Sequence, residues 1–322
     1  MDFVQKGIKY AFVFVCTVCF LWQGGTAQAA DADKAYLQSV FENMARLNGS
    51  AFSAQAGLET PMGNFTMLMN GEVKMTPFGY KGDMKMQYRD MKDKEMAMVV
   101  QQYSLCETPG ILSVYTKMNG EWMLQKMPYA GLSAQDAKVS PEKAAQEQMA
   151  MLKSCTLVSD TADSREYLCR MDEKKIHEIV DKVFQNQKEI KDPELVKNSE
   201  QQAKFIREVM SNMGELSYTM KVDKKTQFVT EMNMDLTGWM KNLSSVVASH
   251  EPKMTEAKKK ELQDFISKST LKLQVKYLNH EEPADIVVPD EVKQVAKEVK
   301  PVKKADGAQT ETEEISEAAS AA

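Results

Sequence analysis

With 322 residues, 24 methionines, 3 histidines and a formal net charge of −5, the chain is long enough to bury one large core or two small ones. Its mild acidity argues against nucleic acid as a partner and against electrostatic attachment to anionic lipid. The histidines, His177, His250 and His280, are far apart, and no HExxH, CxxC, GxSxG or glycine-rich phosphate loop occurs. The chain is therefore read as non-enzymatic, with no cofactor and no metal.

Residues 1–29 combine a short basic lead (Lys6, Lys9), an apolar run over 10–22 and the small-residue sequence Ala27-Gln28-Ala29. That is the pattern of a secretory signal peptide cleaved near Ala29, too short in its apolar part for a permanent span. Loss of Asp2, Lys6 and Lys9 with it makes the mature chain one unit more negative. Neither Cys16 nor Cys19 follows the small residue that N-terminal acylation requires, so an exported, periplasmic or extracellular protein starting near Ala30 or Asp31 is expected.

Next, Tyr36, Leu37, Val40, Phe41, Met44 and Leu47 recur at helical spacing and stop at Asn48-Gly49, which predicts an amphipathic helix. Residues 51–60 read as a first strand, turned through Pro61 and Gly63. Three alternating runs follow. Phe65, Met67, Met69, Val73 and Met75 share one parity, then Met84, Met86 and Tyr88, then Met96, Met98 and Val100. Apolar side chains at every second position predict antiparallel strands with one face in an apolar interior.

Two Asn-Gly pairs interrupt these runs. A two-residue loop at Asn70-Gly71 would put Met69 on the face of Glu72, so residues 65–76 read as one strand with Gly71 at a bend or bulge. Asn119-Gly120 instead splits 111–127 into a hairpin, where a three-residue loop pairs Lys117 with Glu121, Thr116 with Trp122 and Val114 with Leu124. Trp122 then belongs to the apolar face, as a wall of the interior or as a platform on which a ligand stacks.

Ser140-Pro141 opens a capped helix over 142–153. Short strands at 155–159 and 166–171 bring Cys155 and Cys169 together across a hairpin, a candidate disulfide in an exported protein, with Cys106 as a competitor for either partner. Amphipathic helices over 172–187 and from Asp192-Pro193 to Gly214 are candidates for a lid over the curled sheet, or for ordinary cover.

Alternation then returns at Leu216, Tyr218, Met220 and Val222 and at Phe228, Thr230, Met232, Met234 and Leu236. A Lys-rich helix at 254–266 precedes a strand carrying Leu271, Leu273, Val275 and Tyr277, and 286–288 form a last edge segment. From 291 the chain is Lys, Glu, Ala and Thr, a composition that does not offset the entropy of ordering and predicts a disordered tail, with a helix over 290–299 before it.

Methionine pairs at i and i+2 are the unusual feature, because on a strand both members face the same way. Three readings follow. One is an ordinary core. A second is a deformable apolar cavity, since unbranched thioethers repack around ligands of varied shape. The third is a soft-metal site, which would need His or Cys that these segments do not supply. The cavity reading is preferred, with Met67, Met69, Met84, Met86, Tyr88, Met96, Met98, Trp122, Met220, Met232 and Met234 as its lining.

The order of elements, with the stretches NFTMLMNGEVKMTPFGYKGDMKMQYRD, VYTKMNGEWMLQKM and YTMKVDKKTQFVTEMNMDL, resembles the LolA/LolB superfamily of lipoprotein carriers. It also resembles the related LppX/LprG-type lipid-binding proteins, in particular secreted members of that group. The VDKKT turn is similar to the D-x-x-T hairpin turn of the group, and ADIVVPDEVK looks like its C-terminal strand and proline. The resemblance covers residues 33–295 in pattern. It implies an α+β fold in which a curled antiparallel sheet forms a half-open β-barrel, covered on its concave face by α-helices, with acyl chains in the cavity and no catalysis. The lid-contacting arginine of LolA has no matched position here, although Arg46 lies in the N-terminal helix.

The expected organisation is a signal peptide at 1–29, a LolA-like half-barrel domain at 30–290 and a charged, Ala-rich tail at 291–322. The expected function is binding or carriage of a lipid, acyl chain or other apolar ligand, exchanged with an envelope protein as donor or acceptor. The competing expectation is a structural or protein-interaction component of the cell envelope whose sheet face is filled by its own helices.

Overall fold

Long runs of alternation become long strands. In the computed structural model, which describes residues 31–108, 111–128, 140–175, 178, 208, 215–242 and 255–299, helix α1 (Asp31–Arg46) leads into a meander of six strands. These are β1 (Gly49–Thr60), β2 (Gly63–Lys74), β3 (Gly79–Asp90), β4 (Glu95–Thr108), β5 (Ile111–Met118) and β6 (Glu121–Pro128). Helix α2 (Pro141–Met149) precedes β7 (Leu152–Asp160) and β8 (Ser164–Met171); then come β9 (Ser217–Asp223), β10 (Val229–Asp235), α3 (Glu256–Ser267), β11 (Thr270–Asn279), α4 (Asp290–Val295) and β12 (Lys297–Glu298). The expected helices over 172–187 and 192–214 lie outside the described residues, apart from 172–175, 178 and 208. The expected signal peptide at 1–29 lies outside them as well.

One sheet of twelve strands results, in the order β12-β6-β5-β4-β3-β2-β1-β11-β10-β9-β8-β7. Pairing of β1 with β11 joins the early meander to the late one, and every neighbouring pair is antiparallel except β12 with β6. The sheet does not close, because its edges are β12 and β7. It is an open half-barrel of the α+β class, with α1 and α2 packed into the core that its inner face forms.

The two Asn-Gly pairs behave differently. Asn70-Gly71 is continuous strand, and no register shift interrupts β2 against β1 or β3. Gly71 is therefore not a bulge. It faces Gly82 on β3, and a Cβ at either position would come within 2.7 Å or less of the Tyr80 side chain. The paired glycines make a notch in which that ring lies, stacked on Phe52 at 6.2 Å.

Asn119 and Gly120 have φ values of 53° and 86°, the left-handed pair required by a two-residue hairpin loop. Met118 therefore pairs with Glu121, and Lys117 with Trp122. That is one residue away from the expected register. A one-residue slip transfers a side chain to the other face, so Trp122 stands on the outer face, 5.7 Å from Tyr103.

At the β7–β8 hairpin, Cys155 and Cys169 are direct register partners, 4.1 Å apart at Cα, and are joined as a disulfide. In the VDKKT turn, Asp223 accepts hydrogen bonds from the amide and the hydroxyl of Thr226 at 2.7 and 2.8 Å. These hold its carboxyl below the ordinary aspartate value.

The C-terminal segment departs furthest from expectation. Instead of an edge segment at 286–288 and a helix over 290–299 leading into a tail, residues 282–299 form a strap over the outer face, and 300–322 lie outside the described residues. Lys74, almost buried, pairs with Glu282 at 3.1 Å and Asp285 at 2.6 Å. Asn48 donates to Glu282 at 2.7 Å. Beyond these anchors, Val288 and Val292 pack with Tyr115, Trp122 and Leu124, and β12 pairs in parallel with Met123 and Leu124 of β6. Helix α4 ends at Val295 rather than 299.

Candidate ligand-binding site

The inner face is built by parity and register together. Met67 of β2 faces Met86 of β3, and Met86 faces Met98 of β4. One step along, Met69 faces Met84, and Met84 faces Val100. Tyr88 lies between Phe65 and Met96. Across β1 the same face continues through Ala54 and Ala56 to Val275 and Leu273, and then to Met232 and Met234. Met220 sits between Met232 and Tyr167. The structure thus brings ten of the expected lining residues onto one face, and places Trp122 on the other.

That face divides in two by its cover. Over β8 to β11, Leu37, Val40 and Phe41 of α1 join a sealed apolar cluster with Met220, Met232, Met234, Leu273 and Val275. Met220 and Tyr167 are completely buried. Met67, Met69 and Met84 are buried in the same cluster. Toward the β1–β2 and β3–β4 turns the described residues provide less cover. Met86, Met98, Tyr88 and Phe65 are half-buried, and Met96 is 55% exposed. Along β4 this margin gives way to polar side chains, where Gln102 donates to Ser104 at 2.8 Å.

At the sealed end the phenols are neutral and the charges lie at its margin, on Asp33, Arg165 and Asp160. Burial pushes the Tyr167 phenol up to about 12 and raises Tyr36 and Tyr218 as well, so all three stay protonated at neutral pH. Tyr167 donates to Asp33 of α1 at 3.4 Å, and its ring lies 6.3 Å from Tyr36. The Arg165 guanidinium caps this stack, 4.5 Å over the Tyr36 ring and ion-paired with Asp160 at 3.4 Å. These contacts fasten α1 to β8. The aromatic lining at Tyr80 and Tyr167 was not among the expected lining residues, although its position at the inward parity of β3 and β8 was available as a signal.

Among the described residues no group of three or more His, Cys, Asp or Glu could hold a metal ion. His280 shows the ordinary structural use of such a side chain, stacked on Phe228 at 4.5 Å and bonded to the Val229 carbonyl at 2.8 Å. No helix among the described residues is long and apolar enough to cross a membrane. What the arrangement offers chemically is apolar surface: a thioether and aromatic margin, accessible at one end and continuous with a sealed core.

No protein-family model matches the chain, and no curated protein matches it. Among solved structures it is similar to the Mycobacterium tuberculosis lipoprotein LppX, at 9% identity and a TM-score of 0.36, covering 80% of this chain and 100% of that one. The fold class rests on the strand order and register rather than on that likeness.

Proposed function

We propose that this protein is an exported, non-enzymatic binding or carrier protein that holds a lipid, acyl chain or similar apolar ligand against the open margin of its half-barrel. The observation that carries this reading is Met96, 55% exposed on the inward parity, in register with half-buried Tyr88 and next to the half-buried Met86–Met98 pair on the same face. Exposed apolar surface beside an unclosed core gains free energy when a chain covers it, about 0.8 kcal/mol for each methylene buried. Unbranched thioethers adapt to chains of different shape. Export is supported by the signal-like pattern of residues 1–29 and by the Cys155–Cys169 disulfide.

The sealed end favours a second reading, an envelope component whose sheet face is filled by its own α1. Native mass spectrometry of the detergent-free secreted protein, followed by organic extraction, separates the two. A stoichiometric lipid lost on denaturation, and lost again in Met86→Gln/Met96→Gln/Met98→Gln, supports the carrier. A clean apo mass, unchanged after incubation with envelope lipids, overturns it.

A further inference from the structure

The outer face of the sheet carries a second concavity, away from the methionine ladder. It is a trough of about 550 Å³ over β1, β11, β10, β9 and β8. One row of its lining crosses all five strands: Gln55, Gln274, Asn233, Thr219 and Leu168, each the register partner of the next. The adjacent outer row, Lys276, Glu231, Lys221 and Glu166, alternates in sign from strand to strand, the usual arrangement of a solvated antiparallel face. The trough row has no charge at all.

Two of its three amides, Gln274 and Asn233, are held in place. The Gln274 amide donates to Glu231 Oε1 at 2.9 Å and to Asn233 Oδ1 at 3.0 Å, and the Asn233 amide donates to the same Glu231 oxygen at 2.9 Å. Outside that network remain Gln274 Oε1, one Asn233 N–H and the hydroxyls of Thr219 and Ser217. Beside the row, Gly57 leaves the trough open, since a Cβ there would meet nothing within 4 Å. Lys272 and Asp235, opposed in register, form part of the rim, together with Glu59, which accepts from the Thr270 hydroxyl at 3.2 Å.

A concavity of this volume falls in the range of small-ligand sites. Two fixed amides with uncharged hydroxyls beside them complement a ligand whose own groups both donate and accept and which carries no net charge. Leu168 supplies one apolar contact for the C–H face of a ring. We propose that this trough binds a neutral oligosaccharide, recognised by the amide row that Glu231 orients. The site is separate from the apolar margin and does not depend on the carrier reading.

The test is saturation-transfer NMR of the full mature chain with tetra-N-acetylchitotetraose, a neutral oligosaccharide bearing hydroxyls and acetamides. Transfer to its ring protons is expected in the wild type and should be insensitive to salt between about 50 and 500 mM, because screening acts on charges. Gly57→Arg fills the trough where there is open space, and should weaken binding by about tenfold or more with an unchanged unfolding midpoint. Should that variant not fold, Gln55→Ala, at an exposed position, is expected to weaken binding in the same direction. No transfer in the wild type overturns the proposal, and so does transfer that persists undiminished in the folded variants.

Discussion

The two ends of the inner face are written in the same alternation yet do different things. Met220 and Met232 on the late meander are sealed beneath α1, whereas Met96 on β4, at the same parity in an equally regular strand, is 55% exposed. The residue type and the period do not differ. Among the described residues, what differs is the presence of a partner, since α1 is fastened over β8 through Tyr36, Asp33 and the Arg165 guanidinium. A methionine under a helix is core, and a methionine beyond its reach is available surface.

The contrast is most exposed to test at the sealed end. Leu37→Ala, at a fully buried position of α1, should lower unfolding free energy by about 2–5 kcal/mol in chemical denaturation, because a cavity is left among atoms that cannot collapse. A cost near zero would mean that α1 does not seal the sheet. The paired variant Cys155→Ser/Cys169→Ser releases a loop with a sequence separation of 14 and should cost about 2–4 kcal/mol on the same assay. Under reducing conditions the wild type should converge on that variant.

A smaller effect is expected at Asp223, whose carboxyl is held below its ordinary value by the amide and hydroxyl of Thr226. A depressed carboxylate contributes stability that is full above about pH 5 and is lost as pH falls through the folded value. Asp223→Asn should therefore flatten the acid limb of the stability profile while leaving its slope at neutral pH unchanged. An acid limb identical to that of the wild type would remove Asp223 from the pH dependence. Smallest of all in stability is Met96→Gln, expected within about 0.5 kcal/mol of the wild type. Its effect belongs instead to ligand retention, read by lipid extraction. Loss of stability without loss of ligand would reverse the division between the two ends.

Much of the strand content was legible because burial on one face leaves a period of two. Phe65, Met67 and Met69 disclosed β2, and the same parity argument carried the chain through Asn70-Gly71 as strand. The loop length at Asn119-Gly120 was misread, and with it the face of Trp122. Both hairpin registers satisfy local pairing, one matching Lys117 with Glu121 and the other placing Lys117 beside the Trp122 ring at 5.9 Å. The choice between them is made by the left-handed backbone at Asn119 and Gly120, and the outer-face position of Trp122 agrees with an apolar partner at Val288 and Val292. That partner comes from a segment far along the chain and leaves no mark in the local pattern.

By itself, the sequence determined the inward parity of the methionine strands, the Cys155–Cys169 hairpin and the capped start of α2 at Ser140, since each depends on neighbours within a few residues. Tertiary structure alone decided that β1 pairs with β11, that α1 covers only one end of the inner face, and that residues 282–299 strap the outer face. The physical reason is that periodicity records which side of a strand avoids water. It does not record which distant apolar group displaces that water, and here that choice separates core from site.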